Sequence, residues 1–131
     1  MILGVVEIFH EKDIVIARQT ARELTKDMGF GLVDQTRIVT AVSELSRNIF
    51  KYAKSGRVIF ESVESGKSRG ISISFIDKGP GIESIENAMK EGFSTDKGMG
   101  LGLPGVKKLM DYFKISSELE KGTTVVIIKW K

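Results

Sequence analysis

Glu44 and Asn48 stand four residues apart in a stretch of helical spacing, so a carboxylate and an amide share one helix face about a turn from each other. Hard oxygen donors placed this way suit a Mg²⁺ ion or a nucleophile awaiting activation. The pair equally fits a solvated glutamate beside a capping-type asparagine. Lys51 and Tyr52 follow one turn later. Asp77 closes an alternating run and enters Lys-Gly-Pro-Gly. A carboxylate at a strand end, next to a tight glycine turn, can be presented to a base or a sugar; an ordinary turn-forming aspartate reads the same way. Gly122-Thr-Thr124 opens the last apolar run and by itself is a hairpin turn.

The densest signal is glycine. Seven of the fourteen glycines (Gly79, Gly81, Gly92, Gly98, Gly100, Gly102 and Gly105) lie between Asp77 and Val106. Glycine is suited to positive φ and to close approach of backbone to a ligand. Gly100-Leu-Gly-Leu-Pro-Gly105 satisfies G-x-G-x-x-G. The dinucleotide reading needs a strand immediately before it, whereas residues 93–99 are polar and glycine-bounded. The protein-kinase glycine loop wants a valine where Lys107 stands, and neither H-R-D nor D-F-G occurs in the chain. Walker A is also absent. What remains is a glycine-rich loop entering a helix start, where backbone N–H groups and the helix dipole attract phosphate.

These residues need elements to hold them. Leu3–Phe9 is expected as a strand. Ile14, Ala17, Ala21, Leu24 and Met28 predict a helix over Lys12–Met28, stopped by Gly29. Ile38, Ala41, Val42, Leu45, Ile49 and Tyr52 predict a second over Val33–Ala53, ended by Lys54-Ser-Gly56. Arg57–Val63 and Gly70–Ile76 alternate as strands around a loop over residues 65–69. A short helix lies within Ile82–Glu91, marked by Ile85, Ala88 and Met89. Another runs from Leu103 or Pro104 to Phe113, with Val106, Leu109, Met110 and Phe113 inward. Lys114–Leu119 and Thr123–Trp130 close the chain as a hairpin. Paired strands and paired helices predict an α+β, two-layer sandwich: a mostly antiparallel mixed sheet with helices on one face.

At 131 residues the chain is expected to be one domain, residues 1–131, with 41% hydrophobic and 28% charged residues. No apolar run approaches the ~20 residues of a membrane span, and the start lacks a signal-peptide pattern. A cytoplasmic protein without membrane association is expected. The absence of cysteine excludes disulfides and thiolate chemistry, and a lone histidine, His10, argues against a zinc enzyme or a histidine triad. A net charge of +3, spread along the chain, suits an anionic ligand better than nucleic acid.

Order and spacing together are more specific than any single piece. Glu44-Leu-Ser-Arg-Asn48 resembles the N box, Asp77-Lys-Gly-Pro-Gly81 the G1 box, and Gly98-Met-Gly-Leu-Gly-Leu103 the G2 box of the GHKL ATPase superfamily. Gly122-Thr123 is similar to its terminal G-T element, and Asn48-Ile-Phe-Lys-Tyr52 resembles a histidine-kinase pattern. The element order is similar to that superfamily's Bergerat fold. From Asp13-Ile-Val-Ile-Ala-Arg-Gln19 to Lys129-Trp130, the chain resembles the stressosome switch kinases, small serine/threonine kinases of the anti-sigma-factor kinase group. Gly92-Phe-Ser-Thr95 and Gly102–Asp111 carry that likeness especially.

The resemblance implies ATP and Mg²⁺ as cofactors. Asn48 would ligate Mg²⁺ through the ATP phosphates, and Glu44 would be the general base. Asp77 would accept from the adenine amino group, with Gly79 and Gly81 shaping that pocket and Thr123 supporting it. Gly98, Gly100 and Gly102, with Leu101 and Leu103 between and after them, would meet the phosphates. Lys51 would lie near the phosphates, Tyr52 near the base, and Ile82–Lys97 would form a lid. Implied partners are STAS-domain antagonist proteins and a PP2C-type phosphatase. The alternative is an anti-sigma factor that binds a sigma factor directly; a non-catalytic nucleotide-binding module is a third reading. A role for Arg47 and the oligomeric state stay open.

Overall fold

The computed structural model describes residues 1–90 and 102–131. Strand β1 (Ile2–Ile8) leads into helix α1 (Glu11–Asp27), then α2 (Leu32–Asn48), which continues as a π-helical turn over Ile49–Ala53. Strands β2 (Gly56–Ser65) and β3 (Ser68–Asp77) follow, then helices α3 (Ile85–Ala88) and α4 (Gly102–Leu109), and strands β4 (Tyr112–Glu118) and β5 (Gly122–Trp130). The expected order of strands and helices is met.

The five strands form one sheet in the order β1-β2-β3-β5-β4, antiparallel at every pairing. Period-two alternation explains its two faces. On β3, Ile71, Ile73 and Phe75 are buried while Ser72 and Ser74 point the other way. Val58 and Phe60 of β2 and Val125 and Ile127 of β5 join the buried side in register. Onto it pack Ala17 and Ala21 of α1 and Ile38, Ala41, Val42 and Leu45 of α2. Burying each larger aliphatic or aromatic side chain is worth ~1.5–3 kcal/mol. Asp77 and Thr123 share parity with this covered face, so the sheet aims both toward the helices.

Several boundaries differ from expectation for local reasons. The second helix does not stop at a glycine. Lys54 itself takes the left-handed conformation (φ 68°), and Gly56 already pairs with Asp77 in the sheet. The loop expected over 65–69 contracts to Gly66-Lys67, because Ser65 and Ser68 pair directly. The helix expected to reach Phe113 ends at Leu109. Asp111 is captured instead. Its N–H donates to Ile128 O (3.0 Å), and its carboxylate accepts from Trp130 N (2.8 Å) and Lys129 Nζ (3.2 Å). Tyr112 and Phe113 therefore enter β4 opposite Ile128 and Ile127. Phe113 still packs on the core, from a strand rather than a helix. The helix within 82–91 is a single turn, Ile85–Ala88, with Ser84 Oγ accepting from Asn87 N at 3.2 Å.

Candidate functional site

Between α2 and the β3–β5 end of the sheet lies a cavity of about 310 Å³. Its walls are mainly apolar, including Leu45, Ile49, Phe75, Ala88, Ile115 and Val125, and its polar groups are Glu44, Asn48, Asp77 and Thr123. A concave apolar space with a few convergent polar groups is the usual form of a small-molecule site.

Glu44 and Asn48 come from the last turns of α2. Glu44 is only 8% exposed. Its Oε1 accepts from Gly102 N (3.2 Å) at the first residue of α4, and its Oε2 faces Arg47 Nη1 at 3.4 Å. Asn48 is half-buried and lines the cavity one turn on. The π-helical turn then carries Tyr52 and Ala53 along the same wall. Wider single π turns of this kind recur at functional sites. Lys51 and Tyr52 are exposed. Tyr52 lines the cavity, whereas Lys51 does not and holds its Nζ 5.4 Å from the Tyr52 ring centroid, a cation–π arrangement.

The opposite wall is the turn after β3. Asp77 Oδ1 accepts from Gly79 N (2.9 Å) and Thr123 N (3.2 Å), which fixes the carboxylate and ties the turn to β5. An ionised carboxylate has about four acceptor positions, so capacity remains for a ligand donor. Gly79 sits against the π turn, where a Cβ would come within 2.5 Å of Ala53 Cβ. Gly81 has φ +81°, and a Cβ there would lie 2.5 Å from Glu118 O. Neither position has room for a side chain, so these two glycines let the turn lie close against its neighbours.

Ser117 is part of this arrangement although its role was not foreseen. Its Oγ accepts from Ile82 N (2.7 Å), lies 2.8 Å from Thr123 Oγ1, and can donate to Gly122 O at 3.2 Å. The hydroxyl thus joins the Gly81–Ile82 backbone to the start of β5. Phe113, Ile115 and Ser117 alternate on one face, and the pairing of Ser117 with Thr123 reveals its role. A polar residue on an inward-facing position asks for a partner.

The structure therefore brings Glu44, Asn48, Tyr52, Asp77, Gly81, Gly102, Leu103 and Thr123 around one cavity, with Gly79 immediately behind it. Gly98, Gly100 and Leu101, and the lid expectation beyond residue 90, lie outside the described residues. No group of three or more His, Asp or Glu able to hold a metal occurs among the described residues. A divalent ion here would depend on ligand oxygens together with Asn48 and Glu44, and these hard donors fit Mg²⁺.

A family model described as histidine kinase-, DNA gyrase B-, and HSP90-like ATPase matches residues 33–131. The chain belongs to that family. It is 50% identical over 125 residues to the serine/threonine-protein kinase RsbT of Bacillus subtilis (strain 168), covering 95% of this chain and 94% of that one. It is 35% identical over 99 residues to an anti-sigma F factor of a Thermoanaerobacter species (strain X514), covering 71% of this chain and 68% of that one. In fold it is similar to the crystal structure of the RsbU and RsbW domains of a Mycobacterium tuberculosis protein. That match has a TM-score of 0.67 at 19% identity, over 98% of this chain and 33% of the other. The GHKL identification and the α+β sandwich hold, and the kinship with RsbT makes the chain a serine/threonine-protein kinase by class. Nucleotide binding follows from the family. Among the described residues no helix is long and apolar enough to cross a membrane.

Proposed function

We propose that the chain transfers the γ-phosphoryl group of Mg-ATP to a serine or threonine of a STAS-domain antagonist protein. The observation that carries this reading is a buried carboxylate, Glu44, set beside Asn48 and across one cavity from Asp77. Asp77 accepts from the adenine amino group, with Gly79 and Gly81 allowing the close turn and Thr123 bracing it. Asn48 would hold Mg²⁺, which would supply neutralisation of the phosphate charge. Gly102, at the head of α4, would stand on the phosphate side while its N–H holds Glu44 Oε1, and Leu103 would lie beside it. Gly98, Gly100 and Leu101 are assigned to the phosphate side on the G2 resemblance alone. Tyr52 borders the base, and Lys51 supplies a nearby cation.

Phosphoryl transfer asks mainly for positioning and charge stabilisation. Glu44 orients the attacking hydroxyl and takes its proton on a carboxylate oxygen as the hydroxyl oxygen bonds to the γ-phosphorus and the bond from that phosphorus to the β,γ-bridging oxygen breaks, ADP leaving with the bonding pair. A carboxylate is a weak base at neutral pH, so its contribution is orientation more than basicity.

The partners we assign are the STAS-domain substrate and, after its phosphorylation, a PP2C-type phosphatase that the released kinase activates. We take residues 1–131 as one catalytic domain working in the cytoplasm. Incubation with Mg-ATP and a STAS-domain protein of the same organism should yield phosphoserine or phosphothreonine, and Glu44→Ala should lower the rate by at least about 100-fold while ADP still binds. Bound nucleotide without phosphoprotein would refute the activity. The similarity to an anti-sigma F factor supports a second reading, direct sigma-factor binding, which co-purification of a sigma factor would favour.

A further inference from the structure

Of the described residues, Glu44 is the sole buried acid or base. An ionised carboxylate out of water is costly unless charge and hydrogen bonds replace its hydration. Two groups do this. Gly102 N–H, at the positive end of α4, holds Oε1 at 3.2 Å, and the Arg47 guanidinium lies 3.4 Å from Oε2. The two side chains are i,i+3 on α2 and share a helix face. Their side chains differ in exposure: 10% for Glu44 and 48% for Arg47. Arg47 is not among the residues lining the cavity, whereas Glu44 and Asn48 are.

We infer that Arg47 is a positioning residue for phosphoryl transfer: from outside the cavity it holds the Glu44 carboxylate in the orientation that receives the substrate hydroxyl. This rests on Glu44 being the base. With only the Gly102 N–H to hold it, the carboxylate would be free to turn about its last side-chain torsion, which is broad for glutamate. A smaller fraction of molecules would then present an oxygen to the hydroxyl. The 3.4 Å separation and the half-exposed guanidinium describe a loose guide, which leaves Glu44 free to change partners when substrate arrives.

The position of Arg47 sets the kinetic signature. A residue that touches neither nucleotide nor acceptor should change kcat and leave KM for ATP alone. The test uses the full chain with Mg-ATP, following ADP formation with and without a STAS-domain protein. Arg47→Ala should lower kcat about tenfold, with KM for ATP and ADP affinity within about twofold of wild type. Arg47→Lys, which keeps a cation on a long arm, should recover most of the loss. Arg47→Gln repeats the test if the alanine variant is unstable. In a Glu44→Asp background, whose shorter side chain already misplaces the carboxylate, Arg47→Ala should add less than about twofold.

Unchanged kcat in Arg47→Ala overturns the inference. A rise in KM for ATP with kcat preserved does the same, since it would place Arg47 on the nucleotide. So does a full tenfold further loss in the Glu44→Asp background, which would make Arg47 independent of Glu44. Glu44→Gln separates this from the underlying reading. If it keeps wild-type activity, the base assignment falls and the inference with it. If it abolishes activity while Arg47→Ala changes nothing, only the inference falls.

Discussion

A single methyl group tests how tightly the turn after β3 is held. Gly81 combines φ +81° with a Cβ position 2.5 Å from Glu118 O, so alanine there meets both backbone strain and a carbonyl that cannot swing away. Glu118 belongs to β4, and the neighbouring Glu120 N–H already donates to Pro80 O at 2.8 Å, so the two segments are tied together. Left-handed backbone costs an ordinary residue ~1–2 kcal/mol, and overpacking adds ~1–3 kcal/mol. Gly81→Ala should therefore lose about 2–5 kcal/mol in urea denaturation and weaken nucleotide binding. Binding that stays at wild-type strength would detach this turn from the site. At this scale the acids and glycines are visible in the sequence because few other residue types serve in such places. Ser117 is not: a serine in a strand is ordinary until the register with Thr123 shows that its hydroxyl joins two segments of the site.

Elements are legible where one physical signal dominates and misread where two compete. The stripes of α1 and α2 and the alternation of β3 are unopposed, and their extents come out within a few residues of expectation. At Met110–Phe113 the apolar spacing continues a helical pattern, but Asp111 can also take Trp130 N–H and Lys129 Nζ from β5, a pairing far along the chain that no local window contains. The start of α1 shows the opposite case, in which a local contact decides. Asp13 accepts from Phe9 N (2.9 Å) and His10 N (2.8 Å), and these backbone donors, Phe9 first, hold its carboxyl below the usual 3.8. A depressed folded-state pKa contributes stability that is present above the unfolded value and is lost as pH falls through the folded one. Wild type should therefore be more stable than Asp13→Asn at neutral pH, and the gap should close as pH falls through 3.8 and below it. Urea midpoints of both proteins across that range check it, and a gap that widens on acidification would contradict the sign.

At the scale of the whole molecule, the cavity has no local origin. Its polar groups come from the end of α2, the end of β3 and the start of β5, brought together by a sheet order in which β5 inserts between β3 and β4. β5 pairs with β3 along one edge and with β4 along the other through backbone hydrogen bonds, and that order is not readable from any one strand. Of the residues singled out by box spacing, Glu44, Asn48, Tyr52, Asp77, Gly81, Gly102, Leu103 and Thr123 line the cavity, Lys51 does not, and Gly98, Gly100 and Leu101 lie outside the described residues. Gly102 N–H on Glu44 ties α4 to α2, and Thr123 N–H on Asp77 ties β5 to the end of β3, contacts between elements rather than within them. A nucleotide spanning the two acidic walls would bind only when these elements are assembled and would have no site on the unfolded chain. Binding of that kind stabilises by the ratio of ligand concentration to Kd, about 2.7 kcal/mol at a hundredfold excess. For a chain of this size that corresponds to a rise in Tm on the order of 10 °C with Mg-ADP. Asp77→Asn should fold with a similar Tm in the absence of ligand, since an amide oxygen can still accept from Gly79 and Thr123, yet, if Asp77 receives the adenine amino group as proposed, lose most of the Mg-ADP shift because its NH₂ group would meet that amino group donor to donor. An undiminished shift in that variant, measured by calorimetry at the same Mg-ADP concentration, would move the base-recognising group away from Asp77.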